Sequence, residues 1–428
     1  MKKVLIISYF FPPCNLTASQ RIKGWADYLS EFGYYPIIVT RNWDIPITSP
    51  EDASISTGTE IKHIKNDTHE VYYLPYKASL RDRIFEKNKD KKSLQRLSKI
   101  FTLKNLILEN YSNSAIPYSN MYTHARRLIQ DDSEIKMLVV SAKPFNQFKF
   151  GFLLHQEFGI KWIADYRDDW NTSELEDKQV GIMKYLAKMQ SNFEKKWIAT
   201  ASCITSISGI YVKRISTFVG VKGEVILNGF DGLANELPTN NDKIFRITYN
   251  GSLYPSQSIE PILKMIKRVI DQSSMEIHLY FPGLGFDKTQ ENRVRNLMLG
   301  YEKNIHITNR VAKEDVIRIQ NKSDVLLMIA HGTVKGVPSS KMYEYIGLKK
   351  PILVYPNDHD IVEETLNDTG LGIICENEED IFNNLQKLIL EKQTGEKTKF
   401  EFDEDKINFY SRKNQTAVLA KLFDELLV

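Results

Sequence analysis

Short apolar runs alternate with helical segments along the whole chain, and this alternation restricts the possible fold more than any other feature. The runs are apolar at consecutive positions, as in strands that a parallel sheet buries on both faces. Because the pattern occurs in two blocks, it predicts an α/β protein with two doubly wound, Rossmann-like domains. The predicted strands are Val4–Tyr9, Pro36–Thr40, Val71–Leu74, Met137–Ser141, Trp162–Asp165, Cys203–Ile207, Glu224–Leu227, Arg246–Tyr249, Glu276–Phe281, Asn304–Thr308, Asp324–Ile329, Ile352–Tyr355 and Leu371–Ile374.

The polar stretch Asn235–Asp242 contains a proline and few apolar residues, as expected of a connection between domains. It predicts an N-terminal domain of residues 1–235 and a C-terminal domain of residues 236–409. The last segment, Ala417–Val428, is apolar at helical spacing. We therefore expect a final amphipathic helix, within residues 410–428, whose apolar face must pack against another part of the chain.

Composition excludes several classes of protein. The chain has 428 residues, 42% of them hydrophobic, so a large core is available. A net charge of +3 is too small to indicate a nucleic-acid-binding protein. The three cysteines are far apart and predict neither a disulfide framework nor a metal cluster. With an N-terminal apolar run too short for a signal peptide, the sequence predicts a cytoplasmic protein.

The segment from Lys77 to Lys104 differs from the rest because it carries seven more basic than acidic residues. Apolar side chains from Leu94 to Leu106 follow with helical spacing. A basic amphipathic helix of this kind can lie on anionic lipid, at the inner face of the cell membrane. A solvated charged face over a buried apolar stripe would produce the same pattern, and both interpretations remain open.

The segment Pro338–Gly347 has the pattern of a loop that ends in a serine cap and continues as a short helix. The start of a helix leaves backbone N–H groups free and attracts anions, and Lys341 in the first turn would add a full positive charge. Glu344 lies one turn further on the same side. A phosphate site with a carboxylate for sugar hydroxyls is one interpretation. The other interpretation is structural: Ser340 caps the helix and Glu344 only complements the helix dipole.

Residues that follow the other strands are candidates as well, because ligands bind at the carboxyl ends of parallel strands. The segment Asp165–Trp170 contains three carboxylates and Arg167, which form either a local ion pair or a contact with a sugar. Arg21, near the start of the first helix, meets a phosphate or lies on the surface. His331 follows a later strand and should border the same cleft. The first strand lacks a G-x-G-x-x-G sequence, which argues against a dinucleotide enzyme.

Several of these segments together resemble bacterial glycosyltransferases of family 4. The resemblance spans nearly the whole chain, and the order and spacing of its motifs are more specific than any one of them. The segments that carry it are Phe11–Pro13 with Thr17–Arg21, Ser141–Pro144, Ala164–Trp170, Ser206–Ser208, Asn228–Asp231, Tyr249–Leu253 and Pro338–Pro351. It implies a GT-B fold of two facing Rossmann-like domains with parallel sheets and a C-terminal helix that crosses back to the N-terminal domain. It also implies retention of anomeric configuration, a nucleotide-sugar donor bound mainly by the C-terminal domain, and no cofactor or metal.

The resemblance also assigns donor-binding residues. Glu344 matches the second acidic residue of the family's E-x7-E motif, whereas the first falls on Gly336. The arginine and lysine that commonly hold the diphosphate fall on Ser252 and Gln257. The developing negative charge of a departing diphosphate needs compensation. Lys341 is the expected substitute, with Arg310 as another, and the predicted donor-binding set is Ser252, Arg310, Ser339, Ser340, Lys341 and Glu344.

The acceptor side is predicted in the N-terminal domain. Asp165 lies near the position where many relatives have a histidine, and Asp165 or Asp168 would orient the acceptor hydroxyl or stabilise positive charge on the sugar ring. The predicted catalytic set is therefore Asp165, Asp168 and Lys341. Arg21, Arg167 and His331 are predicted on the acceptor side.

The sequence thus predicts a retaining, hexosyl-type glycosyltransferase that uses a nucleotide-diphosphate sugar and a glycan or lipid-linked acceptor in cell-surface polysaccharide biosynthesis. The missing acidic and basic residues at Gly336, Ser252 and Gln257 leave a non-catalytic nucleotide-sugar-binding protein open as an alternative. A nucleotide-sugar 2-epimerase of the same fold is the other. Expected partners are donor, acceptor and a membrane surface at Lys77–Lys104, but no nucleic acid.

Overall fold

The computed structural model describes residues 1–428 apart from 45–46, 48–49, 88–91, 174–180, 233–242, 333 and 396–400. The described residues form two compact units. Unit 1 comprises Met1–Leu227 and Arg412–Val428, and unit 2 comprises Asn228–Ser411. The chain is therefore an α/β protein with two sheets, one in each unit, as the sequence predicts.

The sheet of unit 1 has the strand order β3-β4-β2-β1-β5-β6-β7-β8. Its strands are parallel except for β3, which pairs antiparallel with β4 at one edge. The strands are β1 (Lys2–Ser8), β2 (Tyr34–Arg41), β3 (Lys62–Lys65), β4 (Glu70–Leu74), β5 (Ile135–Ala142), β6 (Lys161–Tyr166), β7 (Cys203–Ser206) and β8 (Gly223–Val225).

The sheet of unit 2 is parallel throughout and has the order β11-β10-β9-β12-β13-β14. In chain order this is the 3-2-1-4-5-6 arrangement of a doubly wound fold. The strands are β9 (Ile244–Thr248), β10 (Glu276–Phe281), β11 (Ile305–Ile307), β12 (Val325–Met328), β13 (Ile352–Val354) and β14 (Gly372–Ile374).

Helices connect the strands in both units, because parallel strands need crossover connections. In unit 1 they are α1 (Ala18–Tyr28), α2 (Leu80–Lys87), α3 (Lys92–Tyr111), α4 (Ser119–Asp131), α5 (Phe148–Phe158), α6 (Ile182–Ile198) and α7 (Gly209–Val219). In unit 2 they are α8 (Glu260–Gln272), α9 (Lys288–Leu297), α10 (Lys313–Asn321), α11 (Ser340–Gly347), α12 (Ile361–Thr369), α13 (Glu378–Thr394) and α14 (Glu404–Phe409).

The final helix, α15 (Arg412–Leu427), returns to unit 1, as the resemblance implies. Its buried side chains Leu419 and Phe423 join the core that also contains Ile22 and Trp25 of α1. The Phe423 ring packs edge-on against Tyr34, with 5.1 Å between ring centroids. Fully burying one such side chain stabilises the fold by about 1.5–3 kcal/mol, which explains why this apolar stripe does not remain exposed.

The predicted strands correspond to observed ones, with small differences at their ends. The exception is the edge strand β3, which is absent from the prediction because all four of its residues are exposed and it is not apolar throughout. The predicted domain boundary at 235/236 lies outside the described residues. The compact units divide earlier, after Leu227, because Phe230 pairs with Ser411 in a parallel bridge and packs against Gly347.

The basic segment falls on α2 and α3, although residues 88–91 between them lie outside the described residues. Among the helices that the structure describes, none combines the length and apolar character needed to span a lipid bilayer.

Candidate active site

The order of strands locates a crevice at the carboxyl edge of each sheet. In a doubly wound sheet, ligands bind where the strand order reverses, at the carboxyl ends of the two central strands. In unit 2 these strands are β9 and β12, and in unit 1 they are β1 and β5. The segments that follow them, including Tyr249–Leu253 and Ile329–Pro338 in unit 2, therefore border the candidate sites.

Lys341, in the first turn of α11, reaches the loop that follows β9. Its ammonium donates hydrogen bonds to the Tyr249 hydroxyl (2.7 Å) and to the Ser252 carbonyl (2.6 Å), and it lies 4.2 Å from the centroid of the Tyr249 ring. Both acceptors are neutral oxygens. Burial lowers the pKa of Lys341 to about 7, although the Glu344 carboxylate acts in the opposite direction. An anion at this position would supply the full counter-charge that these oxygens do not.

Glycine at position 251 allows this approach. Gly251 has a φ of +81°, which favours glycine, and its N–H donates to the Pro282 carbonyl at 2.8 Å. A Cβ at this position would lie 3.3 Å from Cε of Lys341. Gly283 lies against the same turn, since its own Cβ would come 3.5 Å from Cα of Gly251. Without a side chain at Gly251, the lysine can lie close to the backbone of this turn. A phosphate bound beside it would need the same space.

Gln257 does not take the place of the expected basic residue. Its side chain is only 3% exposed, and its amide donates a 2.5 Å hydrogen bond to the Ile329 carbonyl after β12. Its carbonyl oxygen accepts from the Tyr249 hydroxyl (3.2 Å) and from the Tyr254 N–H (3.0 Å). Gln257 thus joins the segments that follow β9 and β12 and holds Tyr249 under Lys341. The contribution of Ser252 is likewise a backbone carbonyl rather than its hydroxyl.

The start of α11 is one residue earlier than the sequence predicts. Ser339 is the N-cap residue and Ser340 is the first helical residue, which corrects the assignment of Ser340 as the cap. Within the described chain, the Ser339 side chain makes no capping hydrogen bond. Glu344, one turn along, accepts a 3.4 Å hydrogen bond from the Asn250 amide in the loop after β9. The helix start, Lys341 and Glu344 are therefore grouped at the switch point of unit 2.

His331 also belongs to this group, and its assignment to the acceptor side stays a prediction. It lies in unit 2, after β12, and its ring is 5.5 Å from that of Tyr254. Burial and, to a lesser extent, the charge of Lys341 lower the pKa of His331. Its Nδ1 is buried and has no hydrogen-bond partner among the described residues, which leaves one polar atom available to a ligand beside Lys341.

Arg310 follows β11, the edge strand that is separated from β9 by β10. Its guanidinium lies 4.1 Å from the centroid of the Phe286 ring. The adjoining Gly285 donates an N–H hydrogen bond to the Thr308 carbonyl at 3.0 Å. The side chain of Arg310 is thus placed on an aromatic face at the carboxyl edge of the same sheet, where a cation–π contact orients it.

In unit 1, Asp165 occupies an interior position that the sequence did not indicate. The side chain is 0% exposed and forms a two-atom ion pair with Arg21, in which Nη2 donates to Oδ1 at 2.9 Å. Ser141 donates to Oδ2 at 2.7 Å and Thr205 donates to Oδ1 at 2.8 Å. With its oxygens engaged by Arg21, Ser141 and Thr205 and its side chain buried, Asp165 has the surroundings of a structural residue. Its catalytic role stays a prediction.

Arg21 is buried together with Asp165, which excludes the surface position. Besides Asp165, it donates to the backbone carbonyls of Ile226 (2.8 Å) and Leu227 (3.1 Å), and it lies over the Trp25 ring at 4.9 Å. Its contact with a phosphate or an acceptor stays a prediction. The pair Arg21–Asp165 joins α1 and β6 to the segment that leads out of unit 1.

The other charges of the acidic segment divide into bound and accessible ones. Arg167 donates to the carbonyls of Ala142 (3.0 Å) and Ala18 (2.8 Å), so it braces the carboxyl edge of the sheet. Asp169 is buried and pairs with Arg214. Asp168 is different, because its side chain is 49% exposed and, among the residues that the structure describes, its one ion pair is with Lys143 at 3.4 Å. Of the three carboxylates, Asp168 is the accessible one.

Aromatic rings surround the same edge of unit 1, and sequence reasoning missed them. Phe145 and Trp170 stack with their centroids 5.0 Å apart and their planes within 4° of parallel. Phe10 stacks on Trp43 at 5.5 Å. Their positions directly after β5, β6 and β1 are visible in the sequence, so the strand-end rule applied to aromatic as well as charged residues could have found them.

Comparison with known proteins supports the fold of the chain and identifies a family match within unit 2. Residues 244–391, within unit 2, match the family model described as glycosyl transferases group 1. No curated protein matches the chain. Solved structures match over its full length.

A sucrose-phosphate synthase from Thermosynechococcus elongatus has a TM-score of 0.63 at 12% identity, with 100% of this chain and 99% of that chain covered. A glycosyltransferase from Rickettsia africae has a TM-score of 0.60 at 11% identity, with 99% of this chain and 98% of that chain covered. HepE from Anabaena, in complex with UDP and glucose, has a TM-score of 0.54 at 12% identity, with 98% of this chain and 95% of that chain covered.

At these identities the structural likeness establishes the fold and not the reaction. The whole chain has the GT-B fold, and unit 2 carries a domain that matches the glycosyl transferases group 1.

Proposed function

We propose that this protein is a retaining glycosyltransferase that moves a sugar from a nucleotide-diphosphate donor to a glycan or lipid-linked acceptor. The observation that carries the proposal is the group around Lys341. A partly buried ammonium held by two neutral oxygens, an uncapped helix start among the described residues and a carboxylate one turn away form a site for a diphosphate and sugar hydroxyls.

In the proposed reaction, the bond between the anomeric carbon and the donor phosphate oxygen breaks, and a bond from the acceptor oxygen forms on the same face. The departing phosphate takes the acceptor proton, so no strong base is required. Lys341 compensates the negative charge that develops on the diphosphate, and Glu344 holds donor hydroxyls. His331 is proposed to offer the donor its Nδ1, which has no hydrogen-bond partner among the described residues.

Donor-binding roles for Ser252, Arg310, Ser339 and Ser340 follow from their positions. Ser339 and Ser340 present the N–H groups of the first turn of α11, and Ser252 presents the backbone that Lys341 contacts. Arg310, stacked on Phe286, borders the same edge of the sheet. The UDP complex of HepE and an ADP complex of a starch synthase from Arabidopsis thaliana, which has a TM-score of 0.55, support a nucleoside diphosphate as the bound group.

The acceptor is proposed to bind at the switch point of unit 1. Asp168 would orient its hydroxyl, and the stacked Phe145 and Trp170 rings would offer apolar surface to a sugar ring. Arg167 and the Arg21–Asp165 pair are positioning residues, since they hold the strand ends without reaching solvent in the way Asp168 does.

A lipid-linked acceptor is consistent with the surface of α2 and α3. Leu80 (55% exposed), Leu108 (42%) and Tyr111 (68%) present apolar side chains, and Lys104 is exposed on the same helix as the latter two. Basic and apolar side chains together bind anionic membrane surfaces. We therefore propose peripheral contact with the cell membrane and a role in cell-surface polysaccharide biosynthesis.

The test is a thermal-shift screen of UDP, ADP, GDP and the corresponding nucleotide sugars, followed by turnover of the best donor with and without glycan acceptors. Stabilisation by one nucleotide series and its loss in Lys341→Ala would support the site. Transfer product with retained anomeric configuration would support the reaction.

Three other outcomes would contradict the proposal. An isomerised sugar from the donor alone would indicate the 2-epimerase. Donor binding without turnover across an acceptor panel would indicate a non-catalytic binding protein. Equal stabilisation of wild type and Lys341→Ala would remove the proposed donor site.

A further inference from the structure

A second group of ligand-type side chains lies at the carboxyl edge of β13 and β14 in unit 2, apart from the group around Lys341. It consists of His359, Glu363 and Glu376, whose ligand atoms all lie within 4.8 Å of one another. Two facing distances are shorter, 3.4 Å from His359 Nδ1 to a Glu363 oxygen and 3.5 Å from His359 Nε2 to a Glu376 oxygen. Ligands about 2.0–2.1 Å from a tetrahedral ion lie about 3.3 Å apart. The two short distances involve different imidazole nitrogens, so ligand atoms that now lie up to 4.8 Å apart must approach one another when an ion binds.

The charges of this group call for a cation. Among the described residues, no lysine or arginine forms an ion pair with Glu363 or Glu376, and their charged neighbour within 4 Å is His359. The imidazole carries a charge only when protonated. Two carboxylates without a lysine or arginine partner among the described residues favour a cation, and a bound divalent ion would balance their negative charge.

The positions of the ligands are firmly held. Asp358, which is buried, accepts hydrogen bonds from the N–H groups of Val362 (3.0 Å) and Glu363 (3.1 Å) and so anchors the first turn of α12. Asn357, also buried, donates to one oxygen of Glu376 at 2.7 Å, which orients that carboxylate as outer-sphere partners of metal ligands do.

We propose that His359, Glu363 and Glu376 bind a divalent transition-metal ion, with Zn²⁺ as the ion that best fits one imidazole and two carboxylates. Imidazole ligands favour Zn²⁺ over Mg²⁺ and Ca²⁺, which prefer oxygen ligands alone. The three residues leave a fourth position for water. One ring nitrogen of His359 binds the ion, and the exposed location (His359 side chain 64% exposed) allows it to enter from solvent.

The ion would stabilise the loop that leads into α11. The Lys335 ammonium donates to the backbone carbonyls of Asp358 and His359, the latter at 3.2 Å. The N–H of Gly336 donates to Asp360 at 2.5 Å. Fixing the turn at 357–360 therefore also fixes residues 335–336, and the proposed role of the ion is structural.

The experiment uses the full chain after treatment with EDTA and dialysis. Isothermal titration with ZnCl₂ should show one ion per chain, and Zn²⁺ should raise Tm by several degrees, whereas the same concentration of MgCl₂ should not. His359→Ala and the nearly isosteric Glu376→Gln should each weaken Zn²⁺ binding at least tenfold and remove the Tm shift.

His306→Ala is the matched control, because it removes an imidazole from the separate His278–His306 contact of unit 2 and should keep both the stoichiometry and the shift. Circular dichroism of Glu376→Gln checks that the variant is folded. The site is ruled out if wild type binds no Zn²⁺, or if both variants bind it as tightly as wild type does.

Discussion

The two units have the same arrangement of central strands but treat charge at their switch points in opposite ways. In unit 1 the Asp165 carboxylate, on β6 beside the switch strand β5, is neutralised inside the protein by Arg21. In unit 2 the Lys341 ammonium contacts the neutral oxygens of Tyr249 and Ser252. A charge satisfied internally holds strands together, whereas a charge left with neutral partners is available to a ligand. We therefore expect a structural role for the Arg21–Asp165 pair and propose a binding role for Lys341.

The largest effect is expected from breaking the buried pair in unit 1. Asp165→Ala leaves the Arg21 guanidinium buried without its carboxylate, and should lower the free energy of unfolding by about 3–5 kcal/mol. Urea unfolding followed by tryptophan fluorescence measures it. Asp168→Ala is the control, because its half-exposed pair with Lys143 should change stability by less than about 0.5 kcal/mol. Equal stability of the two variants would end the distinction between them.

Removing the cation of unit 2 should instead affect turnover. Lys341→Ala takes away the charge that compensates the leaving diphosphate, so kcat should fall about 100-fold to 1,000-fold with the fold intact. Single-turnover kinetics with the best donor measures the loss. Tyr249→Phe keeps the ammonium and removes one of its neutral hydrogen-bond partners, so its effect should be much smaller. A Lys341→Ala enzyme of wild-type activity would contradict the assignment.

The low pKa of Lys341 predicts how donor affinity depends on pH. Because burial lowers this pKa to about 7, the free site loses its charge as the pH rises above 7. An anionic nucleotide sugar binds the charged form, so affinity should be highest at or below pH 7 and fall by up to about tenfold per unit above it. Titrations between pH 6 and 9 measure the slope.

Lys341→Arg is the control for this pH dependence, because arginine stays charged throughout the range. Its affinity should be nearly independent of pH. A wild-type curve that is equally flat would show that the ammonium does not titrate in the free site.

The smallest expected effect concerns the backbone beneath Lys341. Gly251→Ala places a side chain at a φ of +81° and 3.3 Å from the lysine, and should cost about 1 kcal/mol of stability and weaken nucleotide binding. Gly300→Ala is matched, since Gly300 has a φ of +86° but no atom within 4 Å of the added Cβ. It should lose similar stability and keep nucleotide affinity. Equal binding losses would show that the close approach at Gly251 has no role.

Much of the fold was predictable because its signal is local. The predicted strands from Val4 to Ile374 match observed strands, since a strand buried on both faces must be apolar at nearly every position. The grouping of Lys341 with Glu344 was predictable as well, because both lie on one short helix. The exposed edge strand β3 has no such pattern and was missed.

The charges of unit 1 were not predictable in the same way. Arg21 and Asp165 are separated by 144 positions, and only the sheet brings them together. The segment Asp165–Asp169 contains three carboxylates and one arginine, so the charge pattern alone does not determine which carboxylate is buried. The assignment of His331 to the acceptor side stays a prediction, because its ring contact with Tyr254 lies within unit 2 and does not show which ligand it meets.

By itself, the sequence determined the α/β class, the positions of the buried strands and the helix that carries Lys341, because hydrophobic periodicity acts between near neighbours. Tertiary structure alone decided that Asp165 is sealed against Arg21, that Asp168 stays accessible and that Tyr249 and Ser252 hold Lys341. The physical reason is that the burial of a charged group and its charge partner depend on which distant segments meet at a sheet edge. Burial and nearby charges together set the pKa of the group.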